Sequence, residues 1–246
     1  MNKPKLLFIV PGANGDQFVC APIAKYYYDQ GYEVIWPTGK RFSQVPKRLD
    51  YVTHVLMDDS EVLHSDWLRS DVMKIKKMEI YKTADKIIDL ADRGDVTLQW
   101  IGRENFEMTK WRLAGLDFEL KHNLTWPRDF KKEQELVDLL CPAGPYVFAA
   151  LSSSHGEVAE MPKQDLSVVV AREIPGFEIW DWASVILGAE TCYATESSFF
   201  CFIDGFVHQL KNKPYVLRRA SSRSGERDVV AKYWDHRYIG ETTLRG

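Results

Sequence analysis

The chain has 246 residues, 45% of them hydrophobic, with 32 Lys and Arg against 35 Asp and Glu and a net charge of −3. That is the make-up of a globular protein with chain enough for one or two domains, and it excludes disorder, collagen and low-complexity sequence. A pI near 6.1 argues against general nucleic-acid binding, and no apolar run reaches the roughly 18–20 residues of a membrane span.

The first element is a continuous apolar run, Leu6–Val10, entered directly from Met1-Asn2-Lys3-Pro4-Lys5 without a small-residue cleavage site. It reads as a parallel strand buried on both faces and not as a signal peptide. Gly12–Asp16 is a turn-rich loop, and Phe18–Gln30 has helical periodicity with Gly31 as C-cap. Glu33–Trp36 and Tyr51–Met57 read as further strands, closed by Pro37 and by Asp58-Asp59-Ser60. Residues 66–93 read as mostly helical, with Met73, Ile75, Met78, Ile80, Ile87, Ile88 and Leu90 spaced for one buried face. A strand over Val96–Ile101 and a helix over Phe106–Leu116 complete the first half. Trp126-Pro127 marks a junction, so the domains are expected at 1–125 and 126–246.

The second half repeats the alternation. A helix over Lys131–Leu140 precedes strands at Tyr146–Leu151 and Leu166–Ala171. Trp180–Leu187 is a helix, Thr191–Ala194 a strand, and Phe199–Leu210 a helix apolar on nearly all sides. Pro214–Leu217 is the last expected strand, and Glu226–Trp234 a terminal helix. The fold class is therefore α/β: two compact Rossmann-like lobes with parallel sheets joined by right-handed crossovers.

Three loops follow strand ends, where open parallel sheets bind ligands. The first holds Gly12, Asn14, Gly15 and Asp16. Its glycines allow close backbone approach, but it lacks the third glycine of a dinucleotide fingerprint. Asp16 is either a first-turn acid stabilising the helix by about 1 kcal/mol or a general base aimed into a cleft between the lobes, and the roles can coexist. The second is Ser152-Ser153-Ser154-His155-Gly156-Glu157, whose hydroxyls and amides can hold a diphosphate without a metal; a solvated turn is the alternative. The third is Thr195-Glu196-Ser197-Ser198, where a helix cap and an anion site coincide. Arg218, Arg219 and Arg223 form a basic cluster, either a solvated loop or a phosphate contact. Asp58-Asp59 reads as a turn, and no metal site is expected: the six histidines show no paired ligand spacing. Cys20, Cys141, Cys192 and Cys201 are too far apart for a zinc or redox motif and read as buried reduced thiols, which suits a cytoplasmic protein. Most of the eight Trp, eleven Tyr and twelve Phe read as core, with some free to stack on sugars or bases.

Taken together, Leu6–Pro11 followed by Gly15-Asp16 and a proline-bearing helix (Pro22), the hydroxyls Ser152 and Ser153, and the turn Glu196-Ser197-Ser198 resemble the two-Rossmann-lobe (GT-B) nucleotide-sugar glycosyltransferases, in particular the heptosyltransferase-like group, glycosyltransferase family 9. Glu196-Ser197-Ser198-Phe199-Phe200 departs from the group's Asp-Ser/Thr-Gly-His-Leu-Ala pattern. The resemblance implies an N-terminal acceptor lobe, a C-terminal donor lobe and Asp16 as catalytic base. It further implies metal-independent, inverting transfer from a nucleotide-diphosphate-sugar, taken as substrate with no cofactor, to a glycan or other hydroxyl acceptor. Ser152, Ser153, Ser154, His155, Glu196, Ser197, Ser198 and Arg219 would bind the donor, and Gly12, Asn14 and Gly15 would face the acceptor. A nucleotide-sugar epimerase or hydrolase, a Rossmann oxidoreductase and a non-catalytic nucleotide- or carbohydrate-binding protein are the competing readings.

Overall fold

The computed structural model describes residues 3–10, 12–58, 67–90, 106–152, 158–219 and 232–239. The chain divides into two compact units, Met1–Pro127 and Arg128–Gly246, each built on its own parallel sheet.

In the first unit the strands are β1 (Lys5–Ile9), β2 (Glu33–Gly39), β3 (Thr53–Met57) and β4 (Lys86–Asp89), in the order β3-β2-β1-β4. Helix α1 (Asn14–Asp29) carries the chain from β1 to β2. A short α2 (Gln44–Lys47) precedes β3, and α3 (Trp67–Lys77) and α4 (Glu79–Thr83) precede β4. Leu7 and Ile9 on one face of β1 pack with Ile75, Met78, Ile80 and Tyr81 of the α3–α4 region. Phe8 alternates to the other face and meets Trp36 edge-on, ring centroids 4.9 Å apart. Such side chains stabilise by about 1.5–3 kcal/mol each on burial. Helix α5 (Phe106–Leu113) and a 3₁₀ turn, Phe118–His122, pack on α1.

Three expectations change here. Residues 66–93 are not one helix: the extended backbone at Met78 (ψ 148) separates α3 from α4, and Lys86–Asp89 is a strand paired in parallel with Leu6–Ile9 of β1. The β-branched pair Ile87-Ile88 fits that pleated surface better than a helix. Strand β2 continues through Pro37 to Gly39, because its ladder to β1 ends at Ile35 and the proline needs no amide on that side. The strand expected at Val96–Ile101 lies outside the described residues.

The second unit contains α6 (Phe130–Leu140), β5 (Tyr146–Ala150), β6 (Ser167–Val170), α7 (Ala183–Gly188), β7 (Thr191–Ala194), α8 (Ser198–Asp204), β8 (Tyr215–Arg219) and β9 (Asp235–Ile239). Its sheet runs β6-β5-β7-β8-β9, all parallel. Val147, Ala149, Tyr193 and Leu217 pack on one face. Phe148 turns to the other and meets Trp182 and Phe199. Helix α8 is shorter than expected: the chain turns after Asp204 and re-forms only as a 3₁₀ turn at Val207–Gln209. Asp204 is held there by buried Trp234, whose Nε1 donates to Oδ1 at 2.8 Å. Of the expected terminal helix, the described residues Lys232–Trp234 are turn and coil, and they lead into β9, a strand the sequence reading did not include.

Candidate functional site

Strand β1 delivers the chain to a sharp turn. Gly12 sits at φ +144, and a Cβ there would lie 2.3 Å from Oδ2 of Asp16, so only glycine lets the carboxylate lie over this backbone. The loop is shorter than Gly12–Asp16: Asn14, Gly15 and Asp16 already form the first turn of α1, with Ala13 at the cap. The reason is local. Oδ2 of Asp16 accepts from the Ala13 amide at 2.9 Å, which satisfies a helix-start donor that alanine cannot reciprocate. Asp16 is therefore a first-turn acid, the bland reading of this residue, and it is also a half-buried carboxylate at the C-terminal end of a central strand. Asn14 Nδ2 donates to Gln44 Oε1 at 3.2 Å, tying the turn to α2.

Oδ1 of Asp16 accepts from Lys110 Nζ at 3.0 Å. The two partners differ in exposure: the Lys110 side chain is 2% exposed and that of Asp16 28%. Burial works to lower the Lys110 pKa, but the neighbouring Asp16, Cys20 and Glu107 outweigh it, and the net direction is up, so the ammonium persists in the interior. Three residues earlier on α5, Glu107 accepts from Lys121 Nζ at 2.8 Å, and Lys121 is also buried. Nearby, burial pushes the Cys20 thiol up to about 12. No lysine figured among the sequence-derived site residues. In the structure Lys110 lies on the inward face of α5, four residues before buried Ala114.

At the neighbouring strand ends, Lys40 pairs with Asp58 at 2.9 Å and Lys74 Nζ donates to the Asp58 carbonyl at 2.8 Å. Asp58 thus acts as a turn residue, while Asp59 lies outside the described residues. Among the described residues no group of His, Cys, Asp and Glu is arranged to hold a metal ion, and no helix is long and apolar enough to cross a membrane.

In the second unit the strand order reverses between β5 and β7, the switch point at which open α/β sheets bind ligands. Two of the three loops singled out in the sequence leave these adjacent strands. Leu151 and Ser152 follow β5, and Thr195–Ser198 follow β7; the Thr195 amide donates to the Ala150 carbonyl at 2.9 Å, fixing one loop beside the other. Ser152 bridges to Val158 across its loop. Ser197 caps α8, its Oγ accepting from the Phe200 amide at 3.4 Å, and Ser198 opens the helix. Glu196 lies in the same turn. Arg219 ends β8, the next strand over, so its backbone lies on the same sheet edge. Ser153, Ser154, His155 and Arg223 lie outside the described residues. The aromatics mainly build core: Trp36, Trp111, Trp180, Trp182 and Trp234 are buried. Of the cysteines, Cys20 and Cys192 are buried, while Cys141 and Cys201 are only partly so, a correction to the expectation for all four.

No protein-family model and no curated protein matches this sequence. Solved structures do. A glycosyl transferase family 9 protein of Veillonella parvula aligns over 97% of this chain and 86% of its own, with a TM-score of 0.54 and 10% identity. The E. coli heptosyltransferase WaaC, solved with ADP, aligns over 96% and 93%, with a TM-score of 0.51 and 13% identity. At such identities the likeness is one of architecture. The chain has the GT-B-like α/β fold of these glycosyltransferase structures, with two parallel sheets in sequence.

Proposed function

We propose that the protein is a glycosyltransferase that uses a nucleotide-diphosphate-sugar, without a metal, and inverts the anomeric centre. The observation that carries this reading is Asp16: a carboxylate at the end of β1, with one oxygen on the Ala13 amide and the other on a buried ammonium, in a chain with a glycosyltransferase fold. In this reading the first unit takes the acceptor. Asp16 accepts the acceptor hydroxyl proton as that oxygen bonds to the anomeric carbon. The bond from that carbon to the diphosphate oxygen breaks on the opposite face, and the nucleoside diphosphate departs with the electron pair. The second unit takes the donor, with Ser152 and the Glu196–Ser198 turn at its switch point beside the diphosphate. Hydroxyls and amides there stabilise the charge that develops on the leaving group. Ser153, Ser154, His155 and Arg219 belong to the same proposed donor set, and Gly12, Asn14 and Gly15 to the acceptor side.

A second reading, binding without turnover, draws on the same turn, because Asp16 also serves as a first-turn acid. One experiment separates them. The protein is screened by thermal shift against UDP, GDP, ADP and dTDP and their common sugar derivatives, and the best donor is then assayed for nucleoside diphosphate release with a pool of simple glycosides. A ligand at about 100 times its Kd stabilises the folded state by about 2.7 kcal/mol, a readily measured rise in Tm. Stabilisation with acceptor-dependent release supports transfer. Stabilisation without release favours the binding protein, and no stabilisation by any compound contradicts both.

A further inference from the structure

The first unit holds a row of alternating charge: Asp16, Lys110, Glu107 and Lys121, with both ammoniums buried and both carboxylates reaching solvent. We propose that Lys110 is the positioning residue of Asp16, its buried ammonium fixing Oδ1 while the Ala13 amide fixes Oδ2 over the space that Gly12 leaves open, so that the carboxylate is held in the orientation from which it takes a proton. This rests on the reading of Asp16 as the base.

The physical case starts from cost. Burying an ammonium is unfavourable, and an ion pair repays that poorly compared with a well-packed apolar side chain of similar volume. Lys110 is the fully buried partner here, and Met would fill much the same space. Nor would removing the ammonium strand a buried charge. Asp16 is partly exposed and keeps the Ala13 amide, and Glu107 keeps Lys121. Stability therefore gives this chain little reason to carry a lysine at position 110. Placement gives it one. A carboxylate has a torsion of its own and turns freely unless both oxygens are held. Here one is held by the helix start and the other by α5, an element 94 residues away in sequence. Orientation is where catalytic power is lost most readily, since a displacement of about 1 Å at a reacting group can cost about a hundredfold in rate.

The test sets Lys110→Met beside Asp16→Asn in the full-length protein. Each is assayed for nucleoside diphosphate release from the donor identified by thermal shift, with the glycoside acceptor pool. For Lys110→Met we expect kcat to fall about a hundredfold while the donor KM and Tm stay at or near the parent values, a split that a merely structural lysine would not give. A parental kcat, or a loss of kcat matched by a loss of Tm, overturns the inference. Asp16→Asn distinguishes the two levels of the argument. If it is folded but inactive while Lys110→Met is fully active, only the role of Lys110 fails; if it is fully active, the base reading itself fails. Should Lys110→Met not fold, Lys110→Arg decides, because it keeps the charge but shifts its place. Reduced kcat at parental Tm supports positioning, and parental kcat overturns it.

Discussion

The two units bury opposite members of their ion pairs, the ammoniums of Lys110 and Lys121 in the first and the carboxylates of Glu133 and Asp181 in the second. In the second unit Glu133 is the interior partner, 1% exposed; Arg128 grips it from the surface through Nε at 2.9 Å and through its NH2 group, and Ser184 Oγ donates to the same carboxylate at 2.6 Å. In the first unit Lys110 is the interior partner, and the acid, Asp16, looks outward. The difference is instructive. The Glu133 cluster joins α6 to α7 and leaves its reactive carboxylate unavailable, so it serves the scaffold. The Lys110 pair leaves a carboxylate partly open beside a strand end, as the proposed base requires. The same chemistry, a buried charge met by its opposite, builds structure in one unit and, in the proposed reading, orients a base in the other.

Three substitutions probe that contrast. The largest effect on folding is expected from Arg128→Ala, which strands the Glu133 carboxylate in the interior. It should cost the second unit about 3–5 kcal/mol in urea unfolding, while Lys110→Met costs the first unit little. Equal costs for the two would erase the distinction. Gly12→Ala comes next. A Cβ against Asp16 Oδ2 at a φ of +144 forces either the backbone or the carboxylate to move. It should cost about 1–3 kcal/mol and lower turnover along with it. Unchanged activity would show that the seat of Asp16 on the Gly12 backbone has no bearing on its chemistry.

The smallest effect concerns pH. His54 lies against Thr38, its Nε2 2.8 Å from Oγ1, and burial together with Lys47 lowers its pKa below the usual 6.5. The unfolded chain therefore binds this proton more readily than the folded one. The stability contributed by neutral His54 is present above about pH 6.5 and is lost as pH falls through its lower folded value. His54→Gln should accordingly show a smaller drop in Tm than the parent between about pH 7.5 and about pH 5. An identical drop would place the acid sensitivity elsewhere.

Much of this architecture is legible in the sequence, and the failures have physical causes. Strands β1, β5 and β7 are short apolar runs closed by turn residues, and a buried parallel strand has no other signature. Strand β4 is hidden because Lys86–Asp89 continues a helical spacing of apolar residues, and four residues are too few to reveal a change of period. Strand β9 is hidden because Asp-His-Arg-Tyr-Ile carries no apolar run; it pairs at the sheet edge through its backbone. Asp16 is visible as an acid at the junction between a strand and a helix. Lys110 is not, because its meaning comes from the packing of α5 on α1, and nothing local to position 110 records that contact. The turns after β5 and β7 are recognisable as loops, but their adjacency follows from the order β5-β7, which the sequence does not state.

The most direct test of the central claim is Asp16→Asn, compared with the parent for donor binding by calorimetry and for nucleoside diphosphate release in the presence of acceptor. Asparagine keeps the shape and an acceptor for the Ala13 amide but is no base at neutral pH; because it also removes a counter-charge of the buried Lys110 ammonium, the comparison is made below the Tm measured for the variant. The account predicts an unchanged donor Kd with kcat lower by about 10²–10⁴-fold. Parental turnover by Asp16→Asn would contradict it.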